Sequence, residues 1–344
     1  MLNIGIIGFG RIGRVHAETI SRFVQDAKIK AIADPLLKDD DANWARSLGV
    51  METYTDYRKI IEDKTIEALL ICSSTDTHSQ ISLEAIKQKK HVFCEKPIDH
   101  DVNKIKLVME ALKGSKVKYQ VGFNRRFDHN FKAVEDAMLR GEIGDLNILK
   151  ITSRDPAPPP ISYIKVSGGI FLDMTIHDFD MVRFISKAEA IDVFATGSAM
   201  VDSEIGKAGD IDTAAVTITL NNGAIAIIDN CRRASYGYDQ RIEAFGSLGQ
   251  IAIANDTNST AVISNGRGVI AEKPKHFFLD RYTQAYIDEV KSFIASIVED
   301  TPVLVNVEDG LKPVLIGLAA RLSLHEKRIV SITEIEKKYD LNVL

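Results

Sequence analysis

Gly8-Phe9-Gly10-Arg11-Ile12-Gly13 is the stretch of this 344-residue chain that decides the fold. It follows the apolar residues 4–7 directly and precedes residues 12–23, which have the apolar spacing of a helix, so it predicts a strand, a tight turn and a helix. Glycine suits all three of its positions in a dinucleotide site: one for the turn, one for backbone approach to the pyrophosphate, and one for close packing of helix on strand. The cofactor contacts predicted from this turn are Gly8, Phe9, Gly10, Arg11, Ile12 and Gly13.

Asp34 gives the glycine turn its context. It ends a second apolar run, residues 29–33, and comes about twenty residues after the last glycine, where an acid can bond the ribose hydroxyls. Its charge would repel a 2′-phosphate, and no arginine follows it closely. We therefore expect NAD rather than NADP as cofactor, although Lys38 is near enough to leave dual use open.

Composition and charge describe an ordinary globular protein long enough for about two domains. Lys plus Arg number 43 against 48 Asp plus Glu, a net charge of −5, so there is no basic excess for nucleic acid. No run of about eighteen apolar residues predicts a membrane span. The three cysteines lack metal-type spacing and suit reduced thiols, so we expect a cytoplasmic protein. They are Cys72, Cys94 and Cys231.

The order of apolar runs predicts two architectures along the chain. Six runs that alternate with helical patterns predict an α/β domain with a doubly wound parallel sheet, whose ligands bind beyond the carboxyl ends of the strands. Seven later strand patterns follow one another without helices and predict an α+β domain with an open, mostly antiparallel sheet. The first set lies at 4–7, 29–33, 51–54, 66–72, 91–94 and 118–123, and the second at 147–153, 191–197, 213–220, 224–231, 240–245, 250–254 and 260–264.

The predicted boundary follows the sixth strand. Residues 1–123 form the expected NAD-binding domain, and residues 124–344 form the substrate-binding and oligomerisation domain. Whether the C-terminal helix at 307–327 packs back on the first domain is left open. The loop at 202–211 is expected simply to be exposed.

Two further strand ends carry polar residues. Small hydroxyl groups and a histidine after the fourth strand can contact the cofactor or cap the next helix, and both alternatives stay open. Lys96 follows the fifth strand, where the nicotinamide should lie, and its charge could stabilise an alkoxide as hydride leaves. Whether the peptide bond to Pro97 is cis is not decided. The cofactor contacts predicted at these two ends are Ser73, Ser74, Thr75, His78, Glu95 and Lys96.

Asp173 and His177 lie four residues apart in a predicted helix after Gly168-Gly169 and would share one face of it. A carboxylate beside an imidazole can fix its tautomer and raise its basicity, as a general base requires. A surface ion pair or a satisfied core histidine is the alternative. No convincing third ligand accompanies the two residues, so no metal site is predicted.

The glycine turn, Glu95-Lys96-Pro97 and the segment 168–177 together resemble the glucose-fructose oxidoreductase and inositol dehydrogenase family of NAD(P)-dependent enzymes, in the same order over nearly the whole chain. The resemblance implies a Rossmann domain followed by a substrate domain whose open sheet makes homo-oligomer contacts, in a dimer or tetramer. It also implies that Lys96, Asp173 and His177 form the catalytic group.

Within that family, Asn124-Arg125-Arg126-Phe127-Asp128 and the segment 236–241 are most similar to the inositol dehydrogenase branch. This similarity implies polyol contacts from Arg126, Asp155 and Tyr236. Tyr238 is an alternative to Tyr236, a run of prolines leaves the role of Asp155 open, and Arg126 could instead form a salt bridge.

The predicted reaction is NAD-dependent oxidation of a secondary ring alcohol of a polyol, most plainly myo-inositol, to a ketone. His177 would take the hydroxyl proton while Asp173 orients it and favours its charged form, and Lys96 would either stabilise the developing alkoxide or relay the proton. The alternatives are an enzyme for another inositol isomer, an aldose or a dihydrodiol, and a dinucleotide-binding regulator without turnover.

Overall fold

A computed structural model describes residues 1–341, and the chain divides into two compact units. The first unit comprises residues 1–127 and 284–312, and the second comprises residues 128–283 and those from 313 onward. The expected division into two contiguous domains therefore needs a correction. Residues 284–312 return to the first unit, because their apolar side chains complete its core.

Strands and helices alternate through the first part of the chain. Its elements are β1 (Leu2–Ile7), α1 (Arg11–Phe23), β2 (Ala27–Ala33), α2 (Asp39–Ser47), β3 (Glu52–Tyr54), α3 (Arg58–Glu62), β4 (Ala68–Ile71), α4 (Thr75–Lys87), β5 (His91–Glu95), α5 (Val102–Leu112) and β6 (Tyr119–Gly122). The strands form one sheet in the order β3-β2-β1-β4-β5-β6 with every neighbouring pair parallel. This is the strand order of dinucleotide-binding domains, and it confirms the predicted doubly wound sheet.

A 3₁₀ turn at Asn124–Phe127 follows β6. The elements after it are α6 (His129–Leu139), β7 (Leu146–Arg154), α7 (Ile161–Ile164), α8 (Ile170–Asp173), α9 (Ile176–Ser186), β8 (Ala190–Ser198), α10 (Ser203–Lys207), β9 (Thr213–Leu220), β10 (Ile225–Cys231), β11 (Asp239–Gly246), β12 (Gln250–Ile253), β13 (Val262–Asn265), β14 (Gly268–Ala271), α11 (Phe278–Arg281), α12 (Thr283–Val298), α13 (Val307–Glu326), β15 (Val330–Ser331) and α14 (Ile332–Lys338). No helix within residues 1–341 is long and apolar enough to cross a membrane.

The second unit contains a seven-stranded sheet in the order β12-β11-β7-β10-β9-β8-β15. The β7–β10 pair is parallel and the others are antiparallel, which confirms the mostly antiparallel sheet. The strand predicted at 260–264 does not join it, because β13 pairs with β14 in a separate hairpin.

One face of this large sheet is covered and the other is open. Along β10 the side chains alternate, with Ala226 and Ile228 buried and Ile225 and Ile227 about two-fifths exposed. This period-2 pattern is that of a strand with one face on a core. The open face therefore still carries apolar side chains.

Helix α12 completes the core of the first unit. Its Val290, Phe293 and Ile294 are buried in one cluster with β1 and β5, and the rings of Phe293 and Phe93 lie 5.9 Å apart. The helix is thus held by apolar contacts to strands that lie 200 residues (Phe93 to Phe293) and 286 residues (Ile4 to Val290) away in sequence, which no local pattern reveals.

Helix α12 also brings Glu289 to a buried acidic cluster. The Nε2 atom of His16 lies 2.7 Å from Oε1 of Glu95, and the ligand-type atoms of these two residues and Glu289 lie within 4.8 Å of one another. Neither carboxyl oxygen of Glu289 has a hydrogen-bond partner within residues 1–341. Burial, and then the nearby charge of Glu95, raise the pKa of Glu289 well above its ordinary value.

The Glu289→Gln variant should become more stable relative to the wild type as pH rises from 5 to 8. A raised folded-state pKa means that the stabilisation from the bound proton is complete below the unfolded-state pKa and is lost as pH rises through the folded-state pKa, by at most about 1.4 kcal/mol per pH unit. Glutamine is neutral throughout, so the variant lacks this loss. Thermal unfolding at several pH values measures the gap, with the exposed Glu110→Gln as control. A gap between E289Q and wild type that does not change with pH would contradict the assignment.

Candidate active site

The glycine turn has the geometry that a pyrophosphate needs. Gly8 has a φ of 94°, and a Cβ on it would lie 2.3 Å from the backbone nitrogen of Ser73. A Cβ on Gly13 would lie 2.0 Å from the carbonyl oxygen of Gly8, so α1 can approach β1 only without a side chain there. A Cβ on Gly10 would meet nothing within 4 Å, and no side chain caps the helix that begins at Arg11. Backbone amides and open space are thus presented together, as phosphate binding requires.

Asp34 is held beside this turn by two backbone donors. The amide of Phe9 donates to its Oδ2 at 2.7 Å, and the amide of Leu36 donates to its Oδ1 at 2.8 Å. Each oxygen keeps a second lone pair, so the carboxylate can also accept from two ribose hydroxyls.

Arg14 is a cation near this site, and its charge is balanced within the protein. It pairs with Asp41, and its guanidinium carbon lies 5.0 Å from the ring centroids of both Phe9 and Trp44. A 2′-phosphate would have to compete with Asp41 for this guanidinium. The arrangement therefore favours NAD.

The hydroxyl residues after β4 are only partly used by the protein. Ser74 is the N-cap residue of α4 but makes no side-chain cap bond, while the hydroxyls of Ser73 and Thr77 are 2.7 Å apart. The Thr77 hydroxyl donates to the carbonyl of Ser74. Contacts from Ser73, Ser74 and Thr75 to the cofactor remain predictions.

His78 lies in the first turn of α4 and is almost completely buried. Its Nδ1 is 2.9 Å from the carbonyl oxygen of Pro97, and its Nε2 is 2.9 Å from that of Ser73. Both ring nitrogens thus face protein carbonyls, and the predicted contact of His78 with the cofactor remains a prediction.

The Lys96–Pro97 peptide bond is cis, a point that the sequence left undecided.

Asp173 and His177 do not share one continuous helix, contrary to the prediction. Asp173 is the last residue of α8 and His177 the second of α9, because the backbone amide of Thr175 donates to the carbonyl of Ile170. The two residues therefore do not share one helix face, although they stay close in the chain.

Arg232 and Tyr163 hold the Asp173 carboxylate. Both terminal nitrogens of Arg232 lie 3.1 Å from Oδ2 of Asp173, and the Tyr163 hydroxyl donates to Oδ1 at 2.8 Å. Arg232 is 1% exposed, so this ion pair is shielded from water. The positive charge of Arg232 compensates the negative charge of Asp173. The carboxylate is therefore better suited to orienting a neighbouring side chain than to stabilising a positive charge on that side chain.

The loop at 202–211, expected to be merely exposed, supports this pair. It contains α10, and Asp210 accepts a hydrogen bond from the amide of Ile170 at 3.1 Å and lies 3.9 Å from Arg232. Its Oδ1 would lie 3.0 Å from a Cβ on Gly169. The loop thus positions the start of α8.

Asn230 anchors the start of α9 to the covered face of the sheet. Its side-chain amide donates to Oδ2 of Asp178 at 2.8 Å, and it accepts from the Thr175 hydroxyl at 2.6 Å. All three residues are buried. Because His177 lies between Thr175 and Asp178, its backbone position is set by β10.

The salt bridge considered for Arg126 is present, since its Nη2 lies 3.0 Å from Oδ1 of Asp309. Asp155 closes the end of β7, where its amide donates to the carbonyl of Cys231 and its own carbonyl accepts from Ala234. Polyol contacts from Arg126 and Asp155 remain predictions.

The two candidate tyrosines differ in their surroundings. The Tyr236 hydroxyl donates to Asp239 at 2.5 Å and accepts from Arg154 at 3.1 Å, side chains that share the open face of the sheet. Tyr238 is buried, with its ring 5.9 Å from that of Tyr282. Of the two tyrosines, Tyr238 is therefore the better candidate for the covered side of the sheet.

Lys96 belongs to the first unit, whereas Asp173 and His177 belong to the second. Their meeting over the cofactor remains a prediction. Sequence reasoning missed Arg232, Tyr163 and Asp210, because each is an isolated polar residue whose partner lies far along the chain or outside any regular spacing.

A 3-2-1-4-5-6 parallel sheet with an open glycine cradle and a carboxylate held beside it defines a dinucleotide-binding enzyme class. The chain belongs to the GFO/IDH/MocA oxidoreductase family. Residues 2–123 match the model described as "Oxidoreductase family, NAD-binding Rossmann fold", and residues 131–252 match that of the GFO/IDH/MocA C-terminal domain. The predicted family and its NAD-binding domain are thereby confirmed.

Similar proteins span almost the whole chain. Myo-inositol 2-dehydrogenase of Thermotoga maritima is 48% identical over 97% of this chain and 99% of its own, and inositol 2-dehydrogenase of Rhizobium meliloti is 43% identical over 96% and 99%. The crystal structure of scyllo-inositol dehydrogenase from Lactobacillus casei with NAD(H) and scyllo-inositol is 32% identical, with a TM-score of 0.90 over 97% of this chain and 99% of that one.

Alanine at Gly10 and at Gly13 should separate cofactor binding from folding. Gly13→Ala forces a methyl group against the Gly8 carbonyl and should lower the unfolding free energy by roughly 1–3 kcal/mol. Gly10→Ala fills open space at an ordinary φ of −71° and should change stability by less than about 0.5 kcal/mol, but weaken NAD binding at least about tenfold. Thermal unfolding and NAD titration measure the two effects, and an equal loss of stability in both variants would contradict the cradle.

Arg232→Met should destabilise the second unit by roughly 3–5 kcal/mol, because it leaves the Asp173 carboxylate largely buried without its cation. Tyr163→Phe removes one hydrogen bond to the same carboxylate and should cost about 1 kcal/mol. Chemical denaturation of both variants checks the order. Similar stability for R232M and the wild type would show that the ion pair does not hold Asp173.

Proposed function

We propose that the protein oxidises a secondary ring hydroxyl of inositol to a ketone, with myo-inositol as the preferred substrate. The observation that carries this proposal is similarity to inositol dehydrogenases over 96–97% of the chain, so that the substrate domain is included as well as the cofactor domain. NAD, when bound, accepts the hydride at its nicotinamide ring.

His177 takes the hydroxyl proton in this proposal, and Lys96 stabilises the negative charge that develops on the substrate oxygen. Asp173 orients the start of α9 and with it His177, since Arg232 already balances the Asp173 charge. A neutral polyol offers only hydroxyl groups, which carboxylate, guanidinium and phenol groups can bind. Arg126, Asp155 and Tyr236 or Tyr238 are the proposed groups.

A homo-oligomer, dimer or tetramer, fits the open face of the large sheet. Phe194, Ile225, Ile227 and Phe245 are 38–46% exposed on its strands. Several apolar side chains on one sheet face are typical of a surface that another protein covers. A second copy of this chain is the proposed partner.

The three cysteines are free thiols, which supports a reducing compartment such as the cytoplasm.

The test is NADH or NADPH formation with myo-inositol, scyllo-inositol and glucose offered separately, each with NAD and with NADP. We expect the highest kcat/KM for myo-inositol with NAD. His177→Ala should lower kcat by about 10²–10⁴, because a positioned general base contributes that much, with NAD affinity unchanged.

The exposed His325→Gln variant is the matched control and should behave as wild type. Near-normal turnover by H177A would remove the general-base assignment. Preference for glucose would overturn the substrate, and preference for NADP would remove Asp34 from its assigned role.

A further inference from the structure

His78 is a buried imidazole with an acceptor on each side. The carbonyl oxygens of Pro97 and Ser73 lie 2.9 Å from its two ring nitrogens, and the residue is 1% exposed. A neutral imidazole has one N–H and one lone pair, so it can donate to only one of these carbonyls. The other nitrogen would then point a lone pair at an oxygen lone pair, away from water. Both contacts are satisfied together only when both nitrogens carry protons.

We propose that His78 is held as an imidazolium that cross-links the loop after β4 to the Lys96–Pro97 turn, and that it is thereby a positioning residue for Lys96. The proposal rests on the proposed function for the role of Lys96, but not for the protonation of His78. The two carbonyls belong to separate loops at the carboxyl edge of the parallel sheet, where the cofactor binds. One protonated side chain therefore fixes the distance between two parts of the cofactor site.

The groups around His78 support a positive charge there. Burial by itself lowers the pKa of His78, but negative charge on the Cys94 sulfur of β5, a hydrogen bond to that sulfur and the two carbonyl groups outweigh it and raise the pKa to about 9. Asp99 on the adjoining loop is engaged elsewhere, since it accepts from the Ser79 hydroxyl at 2.6 Å and pairs with Lys104 at 3.4 Å. A cation in the first turn of a helix is opposed by the helix dipole, so the carbonyl contacts must account for its position.

The sign of the pH dependence follows from the raised pKa. The stabilisation that the second proton provides is complete below the unfolded-state value of 6.5 and is lost as pH rises through about 9. The cross-link should therefore fail in the alkaline range.

Two variants and a direct readout test the proposal. In [¹⁵N]histidine-labelled protein without substrate at pH 7.5, NMR should show both ring nitrogens of His78 protonated, with the signals assigned by their absence in His78→Gln. His78→Phe keeps a ring of similar shape without donors and should lower kcat about tenfold or more at pH 7.5, since small misplacement of a reacting group is costly. His78→Gln can still donate to one carbonyl and should lose less.

The ratio of wild-type to H78F kcat should shrink as pH rises through about 9, towards the ratio of H78Q to H78F, because the neutral wild-type imidazole then donates to only one carbonyl. A purely structural role would leave that ratio constant with pH, and His325→Gln should follow the wild-type profile. A single ring N–H on His78 at pH 7.5, or a ratio that does not change with pH, would overturn the proposal. If H78F does not fold, H78Q carries the same comparison. Absence of inositol oxidation would affect only the proposed function, since the NMR result needs no substrate.

Discussion

The close approach of α1 to β1 is the constraint on which the cofactor site depends. A methyl group at Gly13 would lie 2.0 Å from the Gly8 carbonyl, so the helix reaches its position only because that residue has no side chain. The same approach turns the uncapped end of α1 towards the open space above Gly10. It also lets the amide of Phe9 donate to Asp34. The open glycine cradle and the position of the Asp34 carboxylate thus have one geometric origin.

Buried charges are a second organising feature, and each is compensated in a different way. Asp173 is paired with a guanidinium, burial raises the pKa of Glu289, and His78 is surrounded by carbonyl oxygens. Breaking a buried pair costs roughly 3–5 kcal/mol, whereas an exposed ion pair contributes at most about 1 kcal/mol. These few interior groups therefore matter more than the many surface salt bridges, and they adjoin the segments that carry Lys96 and His177.

Local patterns predicted the parallel sheet well because its central strands are largely covered on both faces and read as apolar runs, as in β4, where all four residues are buried. Patterns failed where a polar contact between distant residues changes the local structure. Thr175 donates its amide hydrogen back to Ile170 and its hydroxyl hydrogen across to Asn230, which ends α8 before His177 and divides what reads as one helix. The loop around Asp210 looked exposed because its partner, Arg232, lies more than twenty residues away.

The sequence by itself determined the family, the dinucleotide cradle and the identity of the candidate catalytic residues, because glycine spacing and strand periodicity are local properties of the chain. The return of α12 to the first unit, the partners of Asp173 and the two carbonyls around His78 were decided only by the tertiary structure. Those features depend on atoms from separate elements meeting at hydrogen-bond distance. No spacing within one segment encodes such a meeting, since it follows from how the sheets and helices pack.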